Sequence, residues 1–181
     1  MGPFDFNALR IVLGGFLLLC CMRCQGMSIR PKDVPMTILL GLTQTAAGTG
    51  LILLALVSGG AGKTSILVYT MPFWILIFAW VILSEKISGR HWIPVLAAFA
   101  GMVLLLEPWS SKSTLISEVM AVVAGMFWAV GAIIIKVMHK KPDFDFVSTT
   151  AWQFIYGAAP LVLLALFIPQ KPVQWTSYLY L

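Results

Sequence analysis

Charge is what this sequence has least of. Only 10% of its 181 residues are Asp, Glu, Lys or Arg, against about 25% in an average soluble domain. Cysteine is scarce too. The three present, Cys20, Cys21 and Cys24, are too few for a secreted disulfide scaffold. The two histidines, His91 and His139, have no spacing that would hold a metal. What remains is apolar. Hydrophobic residues make up 60%, and 15 glycines bring the apolar share to roughly 68%, against about 45–50% for a soluble domain. Such a chain has too little polar surface to cover itself in water, and it is too apolar for disorder. An integral membrane protein is left.

The charges that exist are scattered singly between apolar runs. A net charge of +5 would raise nucleic acid as a partner for a soluble domain. Here no basic stripe forms, and the cations read as topology signals. Cys21-Met22-Arg23-Cys24 is formally a C-x-x-C. A redox pair would need a helix N-terminus after a strand, whereas this one closes an apolar run, so membrane packing is the expectation.

Charges divide the chain into six apolar stretches: Leu9 to Met27, Val34 to Val57, Thr64 to Ser84, His91 to Leu106, Leu115 to Ile135, and Phe146 to Ile168. Their length, near the 20 residues that cross a bilayer, and their lack of alternation predict helices over barrel strands. The first is short between Arg10 and Arg23, but no small-x-small cleavage site follows it, so a signal peptide is not expected. Its flanking arginines can snorkel. Counted loop by loop, Arg23, Arg30, Lys32, Lys86, Arg90, Lys136, Lys140 and Lys141 fall on one side, and Arg10, Lys63, Lys112 and Lys171 on the other. The richer side is assigned to the cytoplasm. Both ends of the chain then lie outside, which hints at a piece of something longer.

Gly59-Gly60-Ala61-Gly62-Lys63-Thr64 looks like a phosphate loop, but the first glycine of the pattern falls on Val57. No strand is expected before it. A flexible turn between membrane helices, with Lys63 at the boundary, is the simpler reading.

Ser65 to Trp109 is the most specific stretch. Tyr69-Thr70-Met71-Pro72-Phe73-Trp74 enters one helix and Leu83-Ser84-Glu85-Lys86-Ile87-Ser88 leaves it. Trp92 then opens the next, with Gly101 inside and Leu104 to Pro108 closing it. This closely resembles the drug/metabolite transporter superfamily, in particular its EamA-type domain. Phe6-Asn7-Ala8-Leu9-Arg10, Trp128 with Gly131, and Ala151-Trp152-Gln153-Phe154 with Gly157 resemble further helices of that family. Ser84 stands where the family often has Gly.

The resemblance implies an all-α, polytopic transmembrane helix bundle. It would have about six transmembrane helices, forming part of a ten-helix, two-repeat transporter fold. Residues 1–109 would be most of the first repeat, its first helix missing, and 110–181 the start of the second. A faint internal repeat agrees: Phe4-Asp5-Phe6 precedes the first run and Phe144-Asp145-Phe146 the sixth, while Arg10 with Gly14 parallels Gln153 with Gly157.

No charged residue lies deep within the four middle runs, which argues against a carboxylate proton relay in this portion. Uncharged groups do lie inside. Thr43, Gln44, Thr45 and Thr49 fall in the second run. Gln44 either bonds a neighbouring helix or faces a substrate cavity, since its amide is costly unpaired in lipid. Pro72 frees a carbonyl near Val68, as a structural kink or as a hinge beside Tyr69, Thr70 and Trp74. Trp92, Trp109 and Trp175 fit an interfacial belt. Trp74, Trp80, Trp128 and Trp152 either face lipid or line a pocket. Ala121, Gly125 and Ala129, and likewise Ala97 and Gly101, form small-residue faces for bundle contacts. Glu85, Lys86 and Arg90 form a turn, either a solvated loop or a salt-bridged gate.

The implied function is transport of small organic metabolites, by export and alternating access, in a bacterial inner membrane. The candidate substrate contacts are Thr43, Gln44, Tyr69, Pro72, Trp74, Trp128, Trp152 and Gln153. The expected partners are a small-molecule metabolite and the lipid bilayer, with no nucleic acid, no metal and no cofactor. A homodimer could rebuild a repeat pair. The rival reading is a truncated, non-transporting membrane protein or packing subunit. An enzyme would need a nucleophile with a base, or metal ligands, buried among the helices, and neither is found: the two histidines are at run boundaries and no acid pair is intramembrane.

Overall fold

The computed structural model describes residues 2–59, 61–85, 89, 92–106 and 115–168. Every regular element among them is helical: α1 Pro3–Cys24, α2 Val34–Gly59, α3 Ala61–Val68, α4 Met71–Leu83, α5 Trp92–Leu106, α6 Leu115–Met138 and α7 Phe146–Phe167. Five spans are long and apolar enough to cross a membrane, with α3 and α4 together forming one, Ala61–Leu83. The described part of α5 has 15 residues and rises about 22 Å, short of the roughly 30 Å hydrocarbon core.

The helix ends follow from local chemistry. α1 begins at Pro3, six residues ahead of the apolar run. Pro at N1 has no amide to leave unpaired, and Asp5 Oδ2 accepts from the Gly2 amide at 2.8 Å. Arg10 is therefore inside the helix rather than at its boundary, exposed, with Nη2 donating to Asn7 Oδ1 at 2.9 Å. α7 begins differently: Asp145 is the N-cap, accepting from the Val147 and Ser148 amides at 3.0 and 3.2 Å. The two Phe-Asp-Phe motifs thus both serve helix starts, one from N3 and one from the N-cap.

The glycine-rich Gly59 to Thr64 segment is not the flexible turn expected. α2 runs to Gly59 and α3 starts at Ala61, so Gly62 and Lys63 are helical. Gly59 is held against Ser117, whose side chain would clash with any Cβ there. The Thr64 hydroxyl donates to the Ala55 carbonyl at 3.3 Å.

Burial inverts the soluble pattern. Among the described residues, the apolar ones with no exposure at all are Leu40 and five alanines, Ala55, Ala121, Ala124, Ala129 and Ala151. Phe16, Leu17, Trp80, Ile93 and Leu166 are more than half exposed. Lipid accepts large apolar side chains as readily as a protein interior does. Helix association there rewards close backbone approach instead.

Packing divides the chain into two compact units. The first draws on Met1–Ala46 and Pro142–Leu181. In it α7 packs antiparallel on α1: Ala8, Ile11, Ala158 and Leu161 form a core cluster. Gly15 lies against Phe154 and Ile155. The second unit is Ala47–Lys141. Its centre is α6, whose Ala121–Gly125–Ala129 face is buried as expected from the sequence. Ala121 joins Ala55 and Leu67 in a core cluster. The other small-residue face, Ala97 and Gly101, makes no such contact. Ala97 is exposed, and a Cβ at Gly101 would meet nothing within 4 Å. α5 instead meets α4 through Phe73 and Phe99, edge to face at 5.5 Å between ring centroids.

Candidate functional site

The eight sequence-selected residues separate by unit. Thr43, Gln44, Trp152 and Gln153 belong to the first, Tyr69, Pro72, Trp74 and Trp128 to the second.

In the first unit the middle of α2 leaves α-helical geometry. Gly41–Gly48 winds as a π-helix, a rare conformation that favours functional positions. This segment lies against α7. A Cβ on Gly41 would sit 2.8 Å from the Gln153 carbonyl oxygen, and one on Gly157 would sit 2.7 Å from the Gly41 carbonyl oxygen. The two backbones therefore touch. At this crossing Gln153, buried, donates from Nε2 to Gln44 Oε1 at 2.8 Å and to Thr45 Oγ1 at 3.1 Å. Gln44 thus makes the helix-to-helix bond, one of the two readings open for it. Thr43 turns to its own helix, its hydroxyl donating to the Leu39 carbonyl at 2.7 Å. Trp152 stacks on Tyr156 at 5.5 Å. Its Nε1 donates to the Ile29 carbonyl at 2.7 Å, tying α7 to the α1–α2 connection.

In the second unit the span Ala61–Leu83 breaks at Tyr69 and Thr70. Pro72 is not within a bent helix but in the first turn of α4, where its missing amide costs little. The carbonyl it leaves without an amide partner is that of Val68. α6 closes on this break through Gly125. A Cβ there would lie 3.0 Å from the Val68 carbonyl oxygen and 3.1 Å from Thr70 Oγ1. Tyr69 points away and is 75% exposed. Thr70 Oγ1, Trp74 Nε1 and Trp128 Nε1 are buried and have no hydrogen-bond partner among the described residues.

α6 runs parallel to α3 and α4. At one end Lys63 Nζ bonds Glu118 Oε1 at 2.9 Å. At the other, Lys136 Nζ bonds Glu85 Oε2. Lys63 and Glu85 thus mark the two ends of the broken span. The expected turn of Glu85, Lys86 and Arg90 is described only at Glu85, which pairs with α6. Lys86 and Arg90 lie outside the described residues, as do Trp109 and Trp175.

Two apolar grooves flank α4. One, about 640 Å³, is lined by Phe73, Trp80, Trp92, Phe99 and their aliphatic neighbours. Its lining side chains are aliphatic and aromatic. The sequence drew attention to neither Thr45 nor Thr70 as a contact. Thr45 was marked by Gly41 four residues before it, a small-residue repeat suited to a close crossing.

Comparison with known proteins agrees with this architecture. Residues 1–107 match the EamA-like transporter family. The "Uncharacterized transporter YoaV" of Bacillus subtilis is 25% identical over 96% of this chain and 61% of its own length. The "Riboflavin transporter" of Vibrio cholerae is 32% identical over 64% of this chain and 38% of its own. One solved structure superposes with a TM-score of 0.74 at 18% identity, covering 96% of this chain and 60% of that one, which supports the fold. The chain therefore spans about three-fifths of the length of YoaV and of the solved structure. The match over more than half of the chain, on helices of this length and apolarity, makes this a multi-pass membrane protein of the EamA-like transporter family, within the drug/metabolite transporter superfamily.

Proposed function

We propose that the protein carries an uncharged small organic metabolite across the inner membrane, as an exporter working by alternating access. The observation that carries this reading is the chemistry of the interior. The buried polar side chains among the described residues are Asn, Thr, Ser and Gln, with no Asp, Glu, Lys or Arg. A charged solute would need opposite charge, whereas a neutral one needs only hydrogen bonds. Two relatives are riboflavin transporters, which favours a planar, nitrogen-bearing solute. Residues 1–109 would supply most of one repeat and 110–181 the start of its partner.

Flux of radiolabelled neutral metabolites, riboflavin among them, in inside-out and right-side-out vesicles tests this. Accumulation is expected in inside-out vesicles, with counterflow when solute is preloaded. Gln44→Leu and Trp74→Ala are expected to slow it at least tenfold. Uptake confined to right-side-out vesicles would reverse the direction. Wild-type flux in both variants would remove those residues from the solute path.

A further inference from the structure

Buried polar groups in folded proteins are almost all paired, so each exception needs a reason. The second unit holds three: Thr70 Oγ1, Trp74 Nε1 and Trp128 Nε1. Thr70 is only 9% exposed. Their proximity follows from register. Lys63 stands opposite Glu118, Thr70 opposite Gly125, and Glu85 opposite Lys136. The same parallel register sets Trp74, one turn beyond Thr70, at the level of Trp128, one turn beyond Gly125. Glycine at 125 brings the α6 backbone to the helix break and puts no side chain of its own against the Thr70 hydroxyl. Trp74 adds an apolar wall with Phe78, the ring centroids 6.2 Å apart.

We propose that Thr70, Trp74 and Trp128 form one subsite that recognises hydrogen-bond acceptors on a planar, uncharged solute. The chemistry fixes the polarity. An indole N–H donates and cannot accept, and a threonine hydroxyl can do either. The complement is a flat ring system carrying carbonyl oxygens or unprotonated ring nitrogens. Indole rings suit such a face by stacking as well as by donation. A cationic or donor-only solute finds no partner for its hydrogens at the two tryptophans. This assignment rests on the transport reading above and names the solute class for it.

The experiment is equilibrium binding to the intact protein in nanodiscs. Riboflavin serves as the planar, acceptor-rich probe and indole as a planar probe whose only polar group is a donor. Trp74→Phe and Trp128→Phe remove an N–H while keeping a ring, and Thr70→Val keeps the shape. Each is expected to weaken riboflavin binding about three- to tenfold, leave indole binding unchanged, and leave the thermal midpoint unchanged or raised. Equal riboflavin affinity in wild type and all three variants would overturn the subsite, as would a wild type that prefers indole or binds no riboflavin. A lowered midpoint in the conservative variants would mean that the donors are bonded within the protein, and would also overturn it. Vesicle flux separates the two claims. Flux that ignores these side chains sinks the subsite alone. Riboflavin binding that depends on them, with no flux of any solute, sinks the carrier alone.

Discussion

In the first unit one glutamine amide serves two acceptors on a neighbouring helix, and the helix rewinds as a π-helix where they meet. In the second unit two indole N–H groups and a hydroxyl are buried with no hydrogen-bond partner among the described residues. The sequence composition of the two interiors is similar: both are apolar helices with a few uncharged polar residues. The difference lies in what the polar groups face. Gln153 faces a helix brought to backbone contact by Gly41 and Gly157. Trp74 and Trp128 bear indole N–H groups that find no such acceptor among the described residues. Glycine brings backbones together in both units, at Gly41 and Gly157 and at Gly125, so the difference lies in whether the neighbouring helix offers an acceptor. The first unit does have unpartnered atoms, Asn7 Nδ2 and Ser148 Oγ. They lie in the N-terminal turns of α1 and α7, away from the Gln153 crossing.

The comparison breaks most completely at Gly157. Gly157→Val would place side-chain atoms into Thr45 and the Gly41 carbonyl, both fixed by the crossing. Neither can move without separating the helices. A loss of about 3 kcal/mol or more is expected, read as collapse of the folded fraction in detergent melts. Gly101→Ala, facing open space, is the control and is expected to be neutral. Next in size is the glutamine. Gln153→Leu leaves Gln44 and Thr45 without this donor and is expected to cost about 1–2 kcal/mol. A double-mutant cycle with Gln44→Leu should recover part of that, because removing both partners leaves fewer unpaired groups. Strict additivity would mean that the bond contributes nothing.

Much of this was legible in the sequence and some was not, for definable reasons. The spans were readable because length and apolarity are local. The buried Ala121–Gly125–Ala129 face was readable because its period is helical. Ala97 and Gly101 have the same period and yet Ala97 is exposed and a Cβ at Gly101 would meet no described residue, since spacing says which residues share a face and not what lies opposite. The start of α1 was missed because the apolar run hides a polar first turn, held by Pro3 and Asp5. The glycine-rich corner read as flexible, but Ser117, far away in sequence, fixes Gly59. Pro72 marked the break correctly, though not that it would sit in the first turn of a new helix. The partners of Gln44 and Trp152 are long-range, Gln153 and the Ile29 carbonyl, and no single-sequence signal carries them.

Smaller effects test the ends of the second unit. Both ion pairs there join α6 to the broken span, but they differ in exposure. The Lys63 and Glu118 side chains are 22% and 29% exposed, those of Lys136 and Glu85 46% and 42%. Lys63→Met is therefore expected to cost about 1 kcal/mol and Lys136→Met a few tenths, within the range for solvent-exposed pairs. Raising salt should shrink the second more than the first. Equal costs would mean that exposure does not grade them.

The smallest stability effect is expected where the polar groups look most exceptional. Thr70→Val and Trp128→Phe delete hydrogens that bond nothing among the described residues. Breaking a bond costs stability, but deleting an unpaired donor relieves a desolvation cost. The expected change is between zero and about 1 kcal/mol of stabilisation, opposite in sign to Gln153→Leu. Detergent melts of the three variants side by side read the sign directly. Opposite signs support paired and unpaired centres. A loss in all three would mean that both units spend their polar groups on holding helices together, and the distinction between them would disappear.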